Sequence, residues 1–99
     1  MKYSISKEAT KDLEKIWLYT FENWSQEQAD RYFNLIVDEI ENIAKNPLAG
    51  KDFNGVRKGY YCSRVKSHFI FYRLNSKGKE VEIIRILHQQ MNITAHLNN

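Results

Sequence analysis

The sequence predicts an α+β domain of order β-α-α-β-β-β, a helical hairpin packed on one face of a small antiparallel sheet. Three observations predict it. Apolar residues recur at helical spacing from residue 9 to residue 44. After residue 59 the chain turns aromatic and β-branched, as strands do. Between the two lies a loop marked by Pro47, Gly50, Gly55 and Gly59.

The first element is "KYSIS", residues 2–6, short and alternating like an edge strand. Ser6 caps the first helix, with Glu8 in the first turn, where the helix dipole favours an acid. Ala9, Leu13, Ile16, Trp17 and Trp24 follow as one stripe, which Thr20 continues. "SQEQ", residues 25–28, reads as a capping box in which Ser25 accepts from an amide and Gln28 reaches back. It opens a second helix with Ala29, Tyr32, Phe33, Ile36, Ile40, Ile43 and Ala44 on its apolar side. Asn46-Pro47 ends it, because the residue before proline avoids the helical region. The connection at Trp24 is short, so the helices run antiparallel and residues 7–46 form the hairpin.

Three strands follow: "YYCSRVK", "HFIFYRL" and "EVEIIRIL". With residues 2–6 they place the sheet over 2–6 and 60–88, leaving a tail, 89–99, with an amphipathic turn through Met91, Ile93 and Leu97. "HFIFYRL" is apolar on both parities, so both of its faces need cover. A two-residue turn at Lys66-Ser67 sets Val65 opposite His68 and Arg64 opposite Phe69. Tyr61, Ser63, Val65, His68, Ile70 and Tyr72 then lie under the helices, with His68 at the rim. Tyr60, Cys62, Arg64, Phe69, Phe71 and Arg73 occupy the far face. The longer turn before the last strand leaves the face of Arg85 open. Rings mixed with guanidinium groups suit a protein interface or RNA contacts. The plainer alternative is that these arginines snorkel over the sheet or pair with Glu80 and Glu82.

With 99 residues the chain forms a single domain, 1–99. Its net charge of +3 favours an acidic partner or nucleic acid, but only mildly. Cys62 is the one cysteine, which excludes an intramolecular disulfide and fits a reducing compartment. The N-terminus has no apolar signal region and no stretch is long enough to span a membrane, so a soluble cytoplasmic protein without a membrane partner is expected. The histidines are scattered and no glycine loop fits a phosphate, so no metal or cofactor is expected. No nucleophile, base and orienter stand out. His88, closing the last strand beside Arg85, is the one residue to weigh as a general acid or base, and a packed strand-end histidine is the simpler reading.

"A.KDLEKIW.YT...W", "EQADRYF", "NPLAGK", "VRKGYYCSRVKSHFIFYRL" and "IIRILHQQM" together resemble the ParE branch of the RelE/ParE toxin superfamily, from about Tyr3 to Leu97. The resemblance implies the toxin of a type II toxin–antitoxin module that stabilises a plasmid or chromosome and inhibits growth. It implies a cognate ParD-like antitoxin as partner and DNA gyrase as target, inhibited by binding rather than by catalysis. It implies no sequence-specific DNA binding by the toxin alone. A second copy of the chain is a further candidate partner. Antitoxin or target contacts are expected at Arg57, Tyr60, Arg64, Phe69, Phe71, Arg73, Arg85 and Met91. The RelE branch cleaves mRNA on the ribosome. Its basic residue early in the strand is matched here by Phe69, and no tyrosine follows Leu87, so catalytic residues are not expected. The alternatives are a RelE-like endoribonuclease using Arg73, Arg85 and His88, and an inactive scaffold that only binds its antitoxin.

Overall fold

The computed structural model describes residues 1–75 and 77–97. Ser76 of the expected "NSKGK" turn and residues 98–99 of the expected tail lie outside the described residues. The elements are β1 (Lys2–Ile5), α1 (Lys7–Asn23), α2 (Gln26–Lys45), a 3-10 turn at Pro47–Ala49, β2 (Lys51–Asp52), β3 (Tyr61–Val65), β4 (His68–Leu74), β5 (Glu80–His88) and α3 (Ile93–Leu97). The strands form a five-stranded sheet of order β1-β5-β4-β3-β2. β1 is an edge strand as expected and runs parallel to β5, while β3, β4 and β5 form an antiparallel meander. The expected loop 47–59 is more ordered than its composition implies. It holds the 3-10 turn and the two-residue β2, which pairs Lys51 with Cys62. Two residues are too few for an alternation signal.

Ser6 joins the two layers. Its hydroxyl accepts from Ala9 N at 3.0 Å as a helix cap and donates to Ile84 O at 2.8 Å on β5. Ser25 caps α2 by accepting from Gln28 N at 3.1 Å. Among the described hydrogen bonds only this half of the capping box is made, and the Gln28 side chain lines a cleft instead.

One core lies between the hairpin and the sheet. It contains Ala9, Leu13, Ile36, Ile40 and Ile43 from the helices, with Ile70, Tyr72, Val81, Ile83 and Ile86 from the strands. The hydroxyl of the buried Tyr72 donates to Pro47 O at 2.8 Å. A Cβ at Gly50 would overlap that hydroxyl, so the chain passes Tyr72 at a position only glycine fills. Trp24 departs from the expected stripe and is 64% exposed. α1 ends at Asn23, so Trp24 begins the bend and its side chain no longer follows the helical register.

The second core lies on the far face. Tyr60, Cys62, Phe71, Leu87 and Leu97 are buried there, with Phe53, Val56, Phe69, Ile84 and Ile93 packed around them. This corrects the expectation that Phe71 contacts a partner, since the cover this face needs comes from the chain itself. Phe71 is 0% exposed, because residues 53–56 and α3 of the same chain close over it. Arg57 holds that cover by donating from Nη1 to Leu97 O at 3.3 Å. Of the tail residues expected to pack, Ile93 and Leu97 do, while Met91 is 46% exposed.

Ile36 is completely buried in the first core, so Ile36→Ala removes transfer energy and leaves a cavity. The expected loss is about 2–5 kcal/mol of unfolding free energy in urea melts. A midpoint equal to wild type would place Ile36 outside the core.

Candidate functional site

A cleft of about 710 Å³ opens where the bend of the hairpin meets the β3–β4 turn and the end of β5. Ile16, Tyr19 and Thr20 of α1 form one wall, with Trp24 at the bend. Gln28 and Tyr32 of α2 form another. Lys66, Ser67, His68, Ile86, His88 and Met91 complete it. The aromatic parts follow from local structure. Tyr19 and Trp24 are exposed and meet edge to face, with ring centroids 6.0 Å apart. Such paired, exposed rings are unusual on a surface that contacts nothing.

Asp12 stands at the base of the cleft and is 8% exposed. Its two oxygens accept from Arg85 Nε at 2.8 Å and from Arg85 Nη2 at 3.0 Å. Oδ2 also accepts from Ile86 N at 2.9 Å. This amide lies past the end of β1, which pairs with β5 only as far as Ile83. β5 also carries a bulge against β4. Tyr72 pairs with Ile83 but Phe71 pairs with Arg85, so Ile84 is inserted and the strand ladder breaks there. Arg85, whose face the sequence left open, lies opposite Phe71 in the register, and its guanidinium reaches Asp12 on α1. The Asp12 hydrogen bond raises the Arg85 pKa above its ordinary value, against burial. Asp12 was not foreseen. The available signal was a carboxylate three residues after Ala9 and four before Ile16, on the inward stripe.

Next to this pair lies a chain of rings. The Tyr32 hydroxyl is 3.1 Å from Val65 O and 2.6 Å from His68 Nδ1. If its single proton goes to Val65 O, His68 Nδ1–H donates to it in turn. His68 and His88 meet edge to face, with centroids 5.1 Å apart. His88 Nδ1 accepts from Gln90 N at 3.1 Å, which places the proton of neutral His88 on Nε2. Burial first, and the neighbouring His88 second, push the His68 pKa down to about 4, with Asp12 opposing both. His68 is therefore neutral near pH 7. Elsewhere, burial pushes the Cys62 thiol up to about 11, with Lys51 opposing, so it is a poor nucleophile. Among the described residues, no three His, Cys, Asp or Glu side chains are grouped to hold a metal ion.

The expected site residues divide between the two faces. Arg57, Tyr60, Arg64, Phe69, Phe71 and Arg73 belong to the far face. Tyr60 and Phe71 are buried there by the chain itself, so neither is available for direct contact with a partner while the cover stays in place. Arg73 Nε bonds Glu82 Oε1 at 2.7 Å, as the plainer reading of the arginines expected. Met91, with Asp12 and His88, lines the cleft, and Arg85 is held at its base through Asp12. The residues of the ribonuclease alternative are not assembled. His88 is paired with His68 at one end of β4, and Arg73 with Glu82 near the other.

Comparison with solved structures supports the fold. The chain aligns with a protein of the chromosomal ParDE TA system from P. aeruginosa at a TM-score of 0.77 and 20% identity, covering 89% of this chain and 95% of the other. A small α+β fold, a helical hairpin on a five-stranded sheet, shared with that ParDE protein is the class these features define. Residues 3–93 match the family described as ParE toxin of type II toxin-antitoxin system, parDE. The chain is 43% identical to Toxin ParE1 of Caulobacter vibrioides, over 96% of each. It is 33% identical to Toxin ParE1 of Mycobacterium tuberculosis, over 97% of each. The chain belongs to the ParE toxin family of type II toxin–antitoxin systems.

Removing Asp12 leaves Arg85 and the Ile86 amide without partners. Asp12→Ala should cost about 3 kcal/mol, the low end for breaking a buried ion pair, because Arg85 keeps some solvent contact. Arg73→Ala should cost less than about 1 kcal/mol, because that pair is exposed. Equal losses in urea melts would remove the distinction. A second expectation concerns pH. Because the folded pKa of His68 lies below its ordinary 6.5, the unfolded chain takes up the proton first. The stabilising contribution is complete above pH 6.5 and is lost as pH falls toward 4. The stability gap between wild type and His68→Asn should therefore narrow between pH 7 and pH 4.5. A constant gap would contradict this assignment.

Proposed function

We propose that the protein inhibits DNA gyrase by binding and is neutralised by a co-encoded, ParD-like antitoxin seated in the cleft. The observation that carries this reading is the cleft's surface. Tyr19, Trp24 and Met91 offer exposed apolar area, and Lys15 and Lys66 stand at the rim. Its one carboxylate, Asp12, is already engaged by Arg85. An amphipathic helix with acidic flanks complements that pattern, with the aromatic anchors supplying burial and the charges orientation. The far face is a weaker candidate for the antitoxin, since the chain's own residues close over Phe71.

One observation favours a second reading. His68 and His88 meet inside the cleft, where a paired acid and base for RNA cleavage would need to stand. The two readings separate in vitro. Purified protein should inhibit supercoiling by gyrase and leave mRNA on translating ribosomes intact. Ribosomal cleavage that His88→Ala abolishes, with supercoiling unaffected, would replace the first reading with the second. For the antitoxin seat, Trp24→Ala should weaken binding by about 2 kcal/mol or more in calorimetry, as removal of a central aromatic anchor does. Unchanged affinity would move the seat elsewhere.

A further inference from the structure

Charge is divided between the halves of the chain. Residues 1–46 carry six Lys or Arg against nine Asp or Glu, and residues 47–99 carry nine against three. The helical half is thus −3 and the sheet half +6, consistent with the total of +3.

The excess concentrates on the far face. Three cations stand over rings there: Lys51 Nζ 5.9 Å from the Phe53 centroid, Arg57 5.8 Å from Tyr60 and Arg64 5.5 Å from Phe69. Phe53 and Phe69 both pack on Phe71, at 5.3 and 6.1 Å, so the rings form one continuous base. A ring face attracts a cation and holds it in place without neutralising it. Arg64 is further fixed, donating from Nε to Lys66 O at 2.6 Å and from Nη2 to Gln89 Oε1. Lys58, next to Arg57 in the loop, is exposed. Among the described residues the ion pairs are Arg31–Glu27, Arg73–Glu82 and Arg85–Asp12, and none of these four cations takes part. Three ring-held cations and the exposed Lys58 thus surround one apolar base without a salt bridge among the described residues.

We infer that this face binds duplex DNA through its phosphate backbone, independently of sequence. Cations held beside one another on one face without salt-bridge partners complement the phosphates of a duplex. The rings are not open to bases. Tyr60 and Phe71 are buried, and cations cap the half-buried Phe53 and Phe69. That argues against single-strand binding, which stacks bases on exposed rings. Phosphate contacts position a protein without reading sequence. The acidic hairpin lies on the opposite side of the sheet and repels the duplex, which fixes the side of approach. The inference does not depend on gyrase being the target.

The test is fluorescence anisotropy of the full chain with two unrelated 20-base-pair DNA duplexes. Both should bind equally. With about four phosphate contacts, log K should fall against log salt with a slope of about −3 to −4, roughly a hundredfold between 50 and 200 mM. Lys51→Gln combined with Lys58→Gln should reduce the slope by about 2. Lys7→Gln combined with Lys11→Gln, on α1, should leave it unchanged. Thermal melts establish that both variants fold. No binding at 50 mM salt would overturn the inference, as would a slope that the first pair leaves intact or the second pair reduces equally. Tighter binding of a polyglutamate peptide than of either duplex would overturn it too, and would mark the face as a seat for an acidic protein.

Discussion

The Asp12 carboxylate is the constraint on which the arrangement of this molecule depends. It accepts both nitrogens of a guanidinium and one backbone amide. β1 pairs with β5 only as far as Ile83, so beyond it that edge of β5 has no strand partner, and Ile86 N takes the Asp12 carboxylate instead. A charged acceptor is the strongest partner available for it. α1 is thereby tied to β5 at one point by three bonds, and Ser6 ties the same two elements through Ile84 O. Between these ties the first core packs, and beyond them the cleft opens. Its walls hold their spacing because α1 cannot slide along β5 without exposing a buried carboxylate.

The sheet is thus dry on both faces for different reasons. The helices cover one face through ordinary amphipathic packing. The other is covered by short pieces distant in sequence, Phe53 and Val56 on one side and Ile93 and Leu97 on the other. This second cover is thin, and its border carries the cations. The protein consequently offers two chemically distinct surfaces. The cleft is aromatic with basic edges, and the far face is a basic surface over a closed aromatic base.

Much of the fold was legible in the sequence. Both apolar stripes and both serine caps produced the hairpin, and the two-residue turn gave the register that pairs Val65 with His68 and Arg64 with Phe69. The face assignment of β3 and β4 followed from that register. Lys66 in this turn adopts φ 51°, a cost that sequence alone would have assigned to glycine. The site was less legible. A bulge adds one residue without any compositional mark, so Arg85 had no assignable face until its partner was seen. Asp12 resembled any helical carboxylate because burial is a property of the neighbours. Trp24 matched the stripe by spacing, yet the helix ended one residue before it. The far cover was hidden because Phe53 and Val56 lie in a stretch that reads as loop.

The central claim is that Asp12 organises the α1–β5 junction by satisfying Arg85 and the Ile86 amide beyond the end of β1. Native-state hydrogen exchange at the Ile86 amide tests it most directly. The account predicts that this amide exchanges only with global unfolding, with the same denaturant dependence as the ladder amides of β5. In Asp12→Ala it should instead exchange by local opening, ahead of its neighbours. An Ile86 amide that already exchanges locally in the wild-type protein, or keeps full protection without Asp12, would contradict the account.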